Sequence, residues 1–261
     1  MFDSLLIALR RIGNSTIDGI WKLGFASRFL FAIIMQSGPL IFRPRLILRE
    51  IFFSGVLSLI IIIVSGLFVG MVLGLQGYTT LVRFGSAEAL GSLVAISLLR
   101  ELGPVLAALL FASRSGSAMT AEIGLMKATE QLDAMAVMAV NPMARIIAPR
   151  FWAGVLSLPI LTALFNVMGI IGGYYIGVIM IGLDEGAYWS QMQNSVDFHY
   201  DVINGLIKSF FFGIAISLIA VFEGYDAEPT AAGVSSATTR TVVTSALVIL
   251  AMDFVLTAFM F

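Results

Sequence analysis

Cysteine is absent from this sequence, histidine occurs once, and charged residues are scarce. Without cysteine the chain has no disulfides and no thiolate metal sites. The lone His199 argues against a catalytic or metal site built on histidine. Charged residues make up 12% of the chain, whereas soluble proteins average roughly 25%. These scarcities exclude many enzyme and metalloprotein classes and indicate an apolar environment.

Two catalytic patterns are also missing. No G-x-x-x-x-G-K-[ST] phosphate-binding loop occurs, so any ATP that drives this chain must be bound and hydrolysed by a separate ATPase subunit. No Ser-His-Asp arrangement and no pair of carboxylates at a plausible cleft can be assembled. We therefore predict a non-catalytic protein with no cofactor and no metal of its own, and we expect no nucleic-acid partner.

Hydrophobic residues are abundant, at 59% of the chain, and the mean hydropathy is +1.00. This composition predicts an all-α integral membrane protein, because helices satisfy their backbone hydrogen bonds inside a bilayer. A span needs roughly 20 apolar residues. Five blocks qualify: residues 51–75, 89–112, 151–183, 202–222 and 241–261. We predict one transmembrane domain over residues 51–261.

Residues 1–50 are apolar but repeatedly interrupted by charge. Arg10, Arg11 and Lys22 break the runs, and the longest clean run, 29–35, is far too short for a span. We predict an interfacial helix on the cytoplasmic leaflet, anchored by Trp21 and the cations. A cleaved leader is the alternative, although no small-residue site follows a compact apolar core.

Two glycine ladders run along predicted spans at four-residue spacing. A helix face without side chains lets another backbone approach closely. We interpret the first ladder as packing within one subunit, with a dimer face as the alternative. The second accompanies Pro159, which predicts a kink or an external extension. The ladders are Gly66, Gly70 and Gly74 in the first span and Gly169, Gly173 and Gly177 in the third.

Four ionisable residues lie inside the predicted spans: Arg100, Glu101, Lys208 and Asp253. Each costs at least ~2.5–3.5 kcal/mol at a helix centre on insertion scales, so they should pair or face water. At 1.5 Å per residue, Lys208 lies about 9 Å into the fourth span and Asp253 about 12 Å from the end of the fifth. This similar depth predicts a Lys208–Asp253 ion pair that Arg100 and Glu101 extend. A structural network and a functional one both remain open.

The longest polar stretch between apolar blocks covers residues 118–140. Apolar residues recur there at helical spacing, as in Ile123 and Met126. We predict an amphipathic helix lying along the bilayer surface, with a solvated loop helix as the alternative. Asn141 is expected to cap the next helix, whose first residue is Pro142. The polar side chains of the segment are Glu122, Lys127, Glu130, Gln131 and Asp133.

The distribution of cations predicts the orientation. Seven of the fifteen Lys and Arg residues precede the first span, four lie between Arg114 and Arg150, and the acidic segment 184–201 has none. Under the positive-inside rule the N-terminus and segment 118–140 are cytoplasmic, and the C-terminus is external.

Several short motifs are spaced along the chain from about Gly55 onward. They are Leu99-Arg100-Glu101-Leu102-Gly103-Pro104, Ser113-Arg114-Ser115-Gly116-Ser117, Thr129-Glu130-Gln131, Asn141-Pro142, Gly224-Tyr225-Asp226-Ala227, Gly233-Val234 and Ala237-Thr238-Thr239. Together they closely resemble the MlaE-type permease family. Its members are membrane subunits of ABC transporters that move phospholipids between the two membranes of Gram-negative bacteria and of chloroplasts.

The resemblance implies a homodimeric permease of the bacterial inner membrane that helps to maintain the lipid asymmetry of the outer membrane. It implies two cytoplasmic ATPase subunits, a small regulatory cytoplasmic subunit and a periplasmic ring of MCE-domain subunits. Segment 118–140 would then contain the coupling helix, and its five polar residues would form the ATPase contact.

A lipid pocket is also implied, and its wall residues are chosen by position. The candidates are Leu73, Tyr78, Leu81 and Phe84, with Arg100 and Glu101. Apolar walls suit acyl chains, which gain about 0.8 kcal/mol per buried methylene. The alternative function is a secondary transporter of a small amphipathic or ionic solute, in which intramembrane charges are usual. Five spans without an internal repeat argue against that alternative.

Overall fold

The computed structural model describes Trp21, residues 24–38 and residues 44–260, and within these ranges every regular element is a helix. Five helical segments are long and apolar enough to cross a membrane. They are span 1, Arg45–Arg83; span 2, Ala87–Ala128; span 3, Met143–Met180; span 4, Phe198–Asp226; and span 5, Ala231–Met260. The chain is an all-α, multi-pass membrane protein, as its composition predicts.

Most spans consist of more than one helical piece. In chain order the α-helices are α1 Gly24–Met35, α2 Pro44–Ser54, α3 Leu59–Arg83, α4 Leu90–Ser97, α5 Gly103–Phe111, α6 Ser117–Ala128, α7 Gln131–Val137, α8 Ala148–Tyr174, α9 Glu185–Ser195, α10 Asn204–Asp226 and α11 Ala231–Met260. A 3-10 turn, Val56–Ser58, joins α2 to α3, and another, Ala87–Ala89, begins span 2. Wider π-helical turns, which are frequent at functional sites, occur at Leu98–Leu102, Ala112–Gly116, Met143–Ile147, Tyr175–Met180 and Phe198–Ile203.

Span 3 packs along span 1 through the first glycine ladder. A Cβ atom on Gly70 would collide with the carbonyl oxygen of Gly169. One on Gly66 would lie 2.7 Å from the carbonyl oxygen of Phe165. Only a hydrogen atom fits at such close backbone contacts, which explains why glycine recurs on this face. The predicted packing within one subunit is confirmed for this ladder.

The second ladder faces span 2 instead. Added Cβ atoms there would lie 2.7 to 2.8 Å from leucine and valine side chains. The pairs are Gly169 with Leu98, Gly173 with Val94 and Gly177 with Leu90. Both sets repeat every four residues, so the contact continues over successive turns of the two helices. Span 3 is therefore the central helix, in contact with spans 1, 2 and 4. Pro159 lies inside α8, which continues past it to Tyr174.

Several predicted boundaries are wrong; span 1 begins at Arg45 and not at residue 51, and span 3 begins at Met143 and not at residue 151. Span 1 continues past residue 75 to Arg83, and span 2 continues past residue 112 to Ala128. The predicted loop 223–240 contains only four non-helical residues, 227–230. The polar ends of these helices pack against neighbouring helices and are not surrounded by solvent alone. At the last boundary, for example, Arg240 Nε donates to Glu223 Oε2 at 2.8 Å across the two helix ends.

The acidic segment between spans 3 and 4 forms α9, which packs against span 2. Asp184 caps this helix, because its side chain accepts from the Ala187 backbone N–H at 2.7 Å. Tyr188 is only 1% exposed, and burial raises the pKa of its hydroxyl to about 12. The ring of Trp189 lies half-buried with its centroid 5.5 Å from that of Tyr188. The segment is an ordered helical cap on this end of the bundle.

The N-terminal region is described in part. Phe29 and Ile33 of α1 are buried, and the Phe29 ring lies 5.8 Å from that of Phe222 in span 4. Trp21 is 76% exposed. One covered and one open face suit a helix that lies along a bilayer. Residues 45–50 belong to span 1, and the interfacial role of the residues before them stays a prediction. Arg10, Arg11 and Lys22 lie outside the described residues.

Candidate functional site

Lys208 of span 4 is fully buried and donates to four acceptor atoms from two neighbouring spans. Its Nζ lies 3.1 Å from Asp253 Oδ1 and 3.3 Å from Glu101 Oε2. The carbonyl oxygen of Arg100, at 3.0 Å, and the hydroxyl of Thr257, at 2.7 Å, are its other acceptors. The predicted Lys208–Asp253 ion pair is present, and Glu101 joins it as expected. We call these five residues the lysine cluster.

Local sequence explains how the lysine cluster forms. Pro104 has no N–H to donate to the carbonyl of Arg100, four residues earlier, and Lys208 donates to that oxygen. The chain also widens into a π-helical turn at Leu98–Leu102. On span 5, Asp253 and Thr257 are four residues apart and therefore share a helix face. Three spans thus meet at one ammonium group.

The side chain of Arg100 has a partner that the sequence prediction missed. Its Nε donates to Asp201 Oδ1 at 2.6 Å, and its guanidinium lies 5.5 Å from the centre of the Tyr200 ring. Asp201 is fully buried, and its second oxygen accepts from the backbone N–H of Asp197 at 2.8 Å. Asp201 is seven residues before Lys208, two helical turns along the same face. The spacing of Asp201 and Lys208 could have indicated this pair from the sequence. The Arg100–Asp201 ion pair links the start of span 4 to span 2.

The four apolar wall candidates occupy two different environments. Leu73, Tyr78 and Leu81 are partly buried against the main hydrophobic core, whereas Phe84 is 77% exposed in the turn after span 1. An apolar hollow of about 260 Å³ lies elsewhere, between spans 2 and 3 and α9. It is lined by Ala95, Leu99, Ile170, Met192, Gln193, Val196 and Phe198. The wall assignment stays a prediction.

Segment 118–140 is not one surface helix, contrary to the prediction. Its first part, α6, completes span 2, and Thr120 and Ile123 are buried there against spans 4 and 5. Thr120 Oγ1 lies 2.8 Å from Thr241 Oγ1 of span 5. The chain then turns at Glu130, where φ is +56°, and forms the short helix α7. Packing against helices replaces the expected packing against lipid headgroups.

The five polar residues of this segment divide accordingly. Glu122 and Lys127 bond to other parts of the chain: Lys127 Nζ donates to the Tyr225 carbonyl oxygen at 2.8 Å. Glu130, Gln131 and Asp133 are exposed at the turn and on α7. The capping prediction is confirmed, because Asn141 Oδ1 accepts from the Met143 backbone N–H at 3.0 Å.

A second ion cluster, which the sequence prediction missed, lies beside this segment. Arg150 of span 3 is 6% exposed, and its Nη2 donates to Glu122 Oε2 at 2.9 Å. Its Nε lies 3.6 Å from Glu50 Oε2 in α2. Met126 Sδ is 3.9 Å from Nη1. We call Arg150, Glu50 and Glu122 the arginine cluster.

No group of His, Cys, Asp or Glu suited to a metal ion occurs among the described residues. The comparison with known families decides the identity: the family described as Permease MlaE matches residues 47–259. The chain belongs to the MlaE permease family.

Relatives in this family cover nearly the whole chain. The "Intermembrane phospholipid transport system permease protein MlaE" of Haemophilus influenzae is 55% identical over 250 residues, 96% of each chain. A "Probable ABC transporter permease protein" of Rickettsia felis is 37% identical over 98% of this chain and 99% of its own. One from Synechocystis is 38% identical over 78% and 77%. The first name describes a permease of an intermembrane phospholipid transport system, and the other two describe probable ABC transporter permeases.

The motif Gly224-Tyr225-Asp226-Ala227, one of those that indicated the MlaE family, packs on the end of span 2 in this permease. Gly224 lies so close to span 2 that an added Cβ would be 2.9 Å from the Thr120 carbonyl oxygen. The next residue, Tyr225, supplies the carbonyl that Lys127 binds. The C-terminal motif therefore supports the end of span 2, directly before the exposed turn at Glu130.

Proposed function

We propose that this chain is the permease subunit of an ABC transporter that moves phospholipids between the bacterial inner membrane and a periplasmic MCE-domain partner. The observation that carries the proposal is 55% identity, over 96% of both chains, to a permease named for intermembrane phospholipid transport. Movement of phospholipid on this route would maintain the lipid asymmetry of the outer membrane.

ATP would be bound by a separate ATPase subunit, because the sequence has no phosphate-binding loop. The exposed turn and α7 supply its docking surface, with Glu130, Gln131 and Asp133 as contacts. The cation distribution supports a cytoplasmic position for this surface and an external C-terminus. The other partners in the proposal are a second copy of the chain, a ring of MCE-domain subunits and a small regulatory subunit.

The lysine cluster braces the transport path in this proposal. Lys208 is fully enclosed by protein acceptors, so it holds spans 2, 4 and 5 together and does not meet lipid itself. The side chains of Arg100 and Glu101 are 33% and 39% exposed, so they can contact a lipid directly. Spans 1 and 5 are the least buried of the five, so they leave apolar faces for a second copy or for acyl chains.

The proposed lipid wall can be tested by photo-crosslinking. A photoreactive residue at Leu73, Tyr78, Leu81 or Phe84 is expected to capture phospholipid that survives detergent washing. Ile160 of span 3 is the matched control, because its side chain is 59% exposed on an apolar helix. Equal capture at all five positions would indicate surrounding lipid only and would contradict the wall assignment.

The docking surface can be tested with Glu130→Lys in the assembled transporter. Charge reversal at an exposed carboxylate is expected to weaken ATPase binding or to uncouple ATP hydrolysis from lipid transfer, while the permease still inserts. Glu130→Gly controls for the backbone, since glycine adopts the positive φ at this position more readily. Normal assembly and normal lipid-stimulated hydrolysis in Glu130→Lys would contradict the docking assignment.

The same purification separates the two candidate functions. A secondary transporter needs no ATPase, so it would be purified without a nucleotide-binding subunit and would move solute down an ion gradient. Stable co-purification with an ATPase, and lipid transfer that requires ATP, are the results expected for the proposed function.

A further inference from the structure

The arginine cluster joins three elements at the end of the bundle that carries α7. Glu50 lies on α2, before the break in span 1, and Glu122 lies on α6, eight residues before the turn at Glu130. Arg150 stands between them on α8 and contacts both carboxylates. No other ion pair recorded among the described residues bridges α2 and α6.

The two arms of this cluster differ in strength. The Glu122 arm is a hydrogen bond of 2.9 Å. The Glu50 arm is an ion pair at 3.6 Å, and Arg150 Nε is buried without a hydrogen-bond partner among the described residues. One cation and two carboxylates also leave the cluster with a net negative charge. The cluster therefore keeps one buried N–H group without an acceptor among the described residues, which is uncommon in folded proteins.

Beyond α2, span 1 has a break in its helix. The chain passes through Gly55 and the 3-10 turn Val56–Ser58 before α3 begins. Side chains from span 2 bond the carbonyl groups at this break: Arg114 Nη1 donates to Phe53 O at 2.8 Å, and Ser115 Oγ donates to Ser54 O at 2.6 Å. Such breaks are the places where a helix changes direction.

We propose that Arg150 is a positioning residue that transmits movement of the proposed docking segment to span 1. The inference rests on the proposed function, because the docking segment is the part that an ATPase would displace. Displacement of α7 moves the end of α6 and with it Glu122. Arg150 moves with Glu122 because that contact is the stronger of its two. The α2 helix then follows Arg150 through Glu50. The break at Gly55 lets α2 tilt while α3 stays packed on span 3 through its glycine ladder.

The decisive variant is Glu50→Gln in the assembled transporter reconstituted in liposomes. It removes one of two like charges and leaves the Arg150–Glu122 bond, so fold stability and ATP hydrolysis are expected to stay unchanged. Lipid transferred per ATP is expected to fall about fivefold or more, the lower end of measured coupling between sites. Glu88→Gln, an exposed carboxylate in the 3-10 turn that begins span 2, is the matched control and should behave as the unaltered protein.

A second comparison distinguishes transmission from a structural role. In a connection in series, loss of either arm breaks the link, so Glu122→Gln should match Glu50→Gln, and the double variant should be no worse than either. A structural role instead predicts that each variant lowers thermal stability and that the transfer ratio falls only as far as stability falls. Losses of the transfer ratio that add in the double variant, or an unchanged transfer ratio in Glu50→Gln, would overturn the inference.

A measurement on the permease without its ATPase separates this inference from the proposed function. The chain contains no cysteine, so Leu48→Cys and Leu125→Cys, both exposed in the parent, take spin labels without background. Dilution with unlabelled chain restricts the signal to one subunit. The label-to-label distance distribution is expected to broaden in Glu50→Gln and not in Glu88→Gln. An unchanged distribution would overturn the link, whatever the ATPase experiments show.

Discussion

Apart from the Arg100 guanidinium, which pairs with Asp201, the lysine cluster has the same charge composition as the arginine cluster, one cation and two carboxylates, yet the two are bonded very differently. Lys208 has four acceptors within 3.3 Å, more than its three N–H groups require. Arg150 has one hydrogen bond to a carboxylate and a buried Nε with no hydrogen-bond partner among the described residues. Lys208 has an acceptor for each of its N–H groups, whereas the Nε–H of Arg150 has none among the described residues.

Position in the bundle explains the difference. The lysine cluster lies within the apolar length of spans 2, 4 and 5, where an unpaired charge is expensive. The arginine cluster lies at the ends of spans, and the Glu122 side chain is 52% exposed, so solvent can replace a lost contact. A charge that solvent cannot reach has to be fully paired, whereas one near solvent can exchange partners.

The largest effect is expected from Lys208→Ala. It leaves Glu101 and Asp253 uncompensated between helices, and removal of one partner from a buried ion pair typically costs about 3–5 kcal/mol. The double variant Lys208→Ala/Asp253→Ala should recover part of that loss. A double-mutant cycle on the thermal stability of the purified protein measures the recovery. Strictly additive losses would show that the two residues do not interact.

A smaller loss is expected from Thr257→Val, which keeps the shape of the side chain and removes one acceptor of Lys208. Hydrogen bonds between helices in a membrane contribute about 1–2 kcal/mol in model systems. The same thermal assay applies, with Thr239→Val, at an exposed position of span 5, as the control. A loss as large as that of Lys208→Ala would mean that the hydroxyl, and not the ion pair, dominates the lysine cluster.

Arg150→Gln should cost less again, about 1 kcal/mol, the upper end for ion pairs with solvent-exposed partners. Its thermal stability should therefore stay close to that of the unaltered protein, although the link between α2 and α6 is cut. If unfolding showed a loss of several kcal/mol, the arginine cluster would be as essential to the fold as the lysine cluster, and the contrast between them would fail.

The smallest effect is expected from Arg240→Gln. The ion pair between Arg240 and Glu223 joins the ends of spans 4 and 5, and the Arg240 side chain is 45% exposed. Exposed pairs contribute roughly 0–1 kcal/mol and are screened by salt. Stability measured at low and high salt should therefore differ little between the variant and its parent. A clear, salt-independent loss would place this pair with the buried clusters.

The sequence was informative where depth alone decides contact. Lys208 and Asp253 pair because consecutive antiparallel spans bring equal depths together, and residue counting from the span ends is enough to predict this. Counting does not reveal side-chain direction, so Asp201 was missed as the partner of Arg100. The arginine cluster was missed for another reason: Glu50 and Glu122 were assigned to surface segments, whereas α2 and α6 are packed parts of spans 1 and 2. Polarity shows which residues avoid lipid, but not whether water or protein covers them.

The lysine cluster also has a consequence for biosynthesis. The chain is made from its N-terminus, so Glu101 exists when Lys208 leaves the ribosome, whereas Asp253 follows 45 residues later. At about 5–20 residues per second, that interval lasts roughly 2–9 s. During this interval Glu101 is the one carboxylate of the lysine cluster available to neutralise Lys208 as span 4 enters the membrane. The two carboxylates therefore serve successive stages of assembly: Glu101 accompanies insertion, and Asp253 completes the site when span 5 arrives.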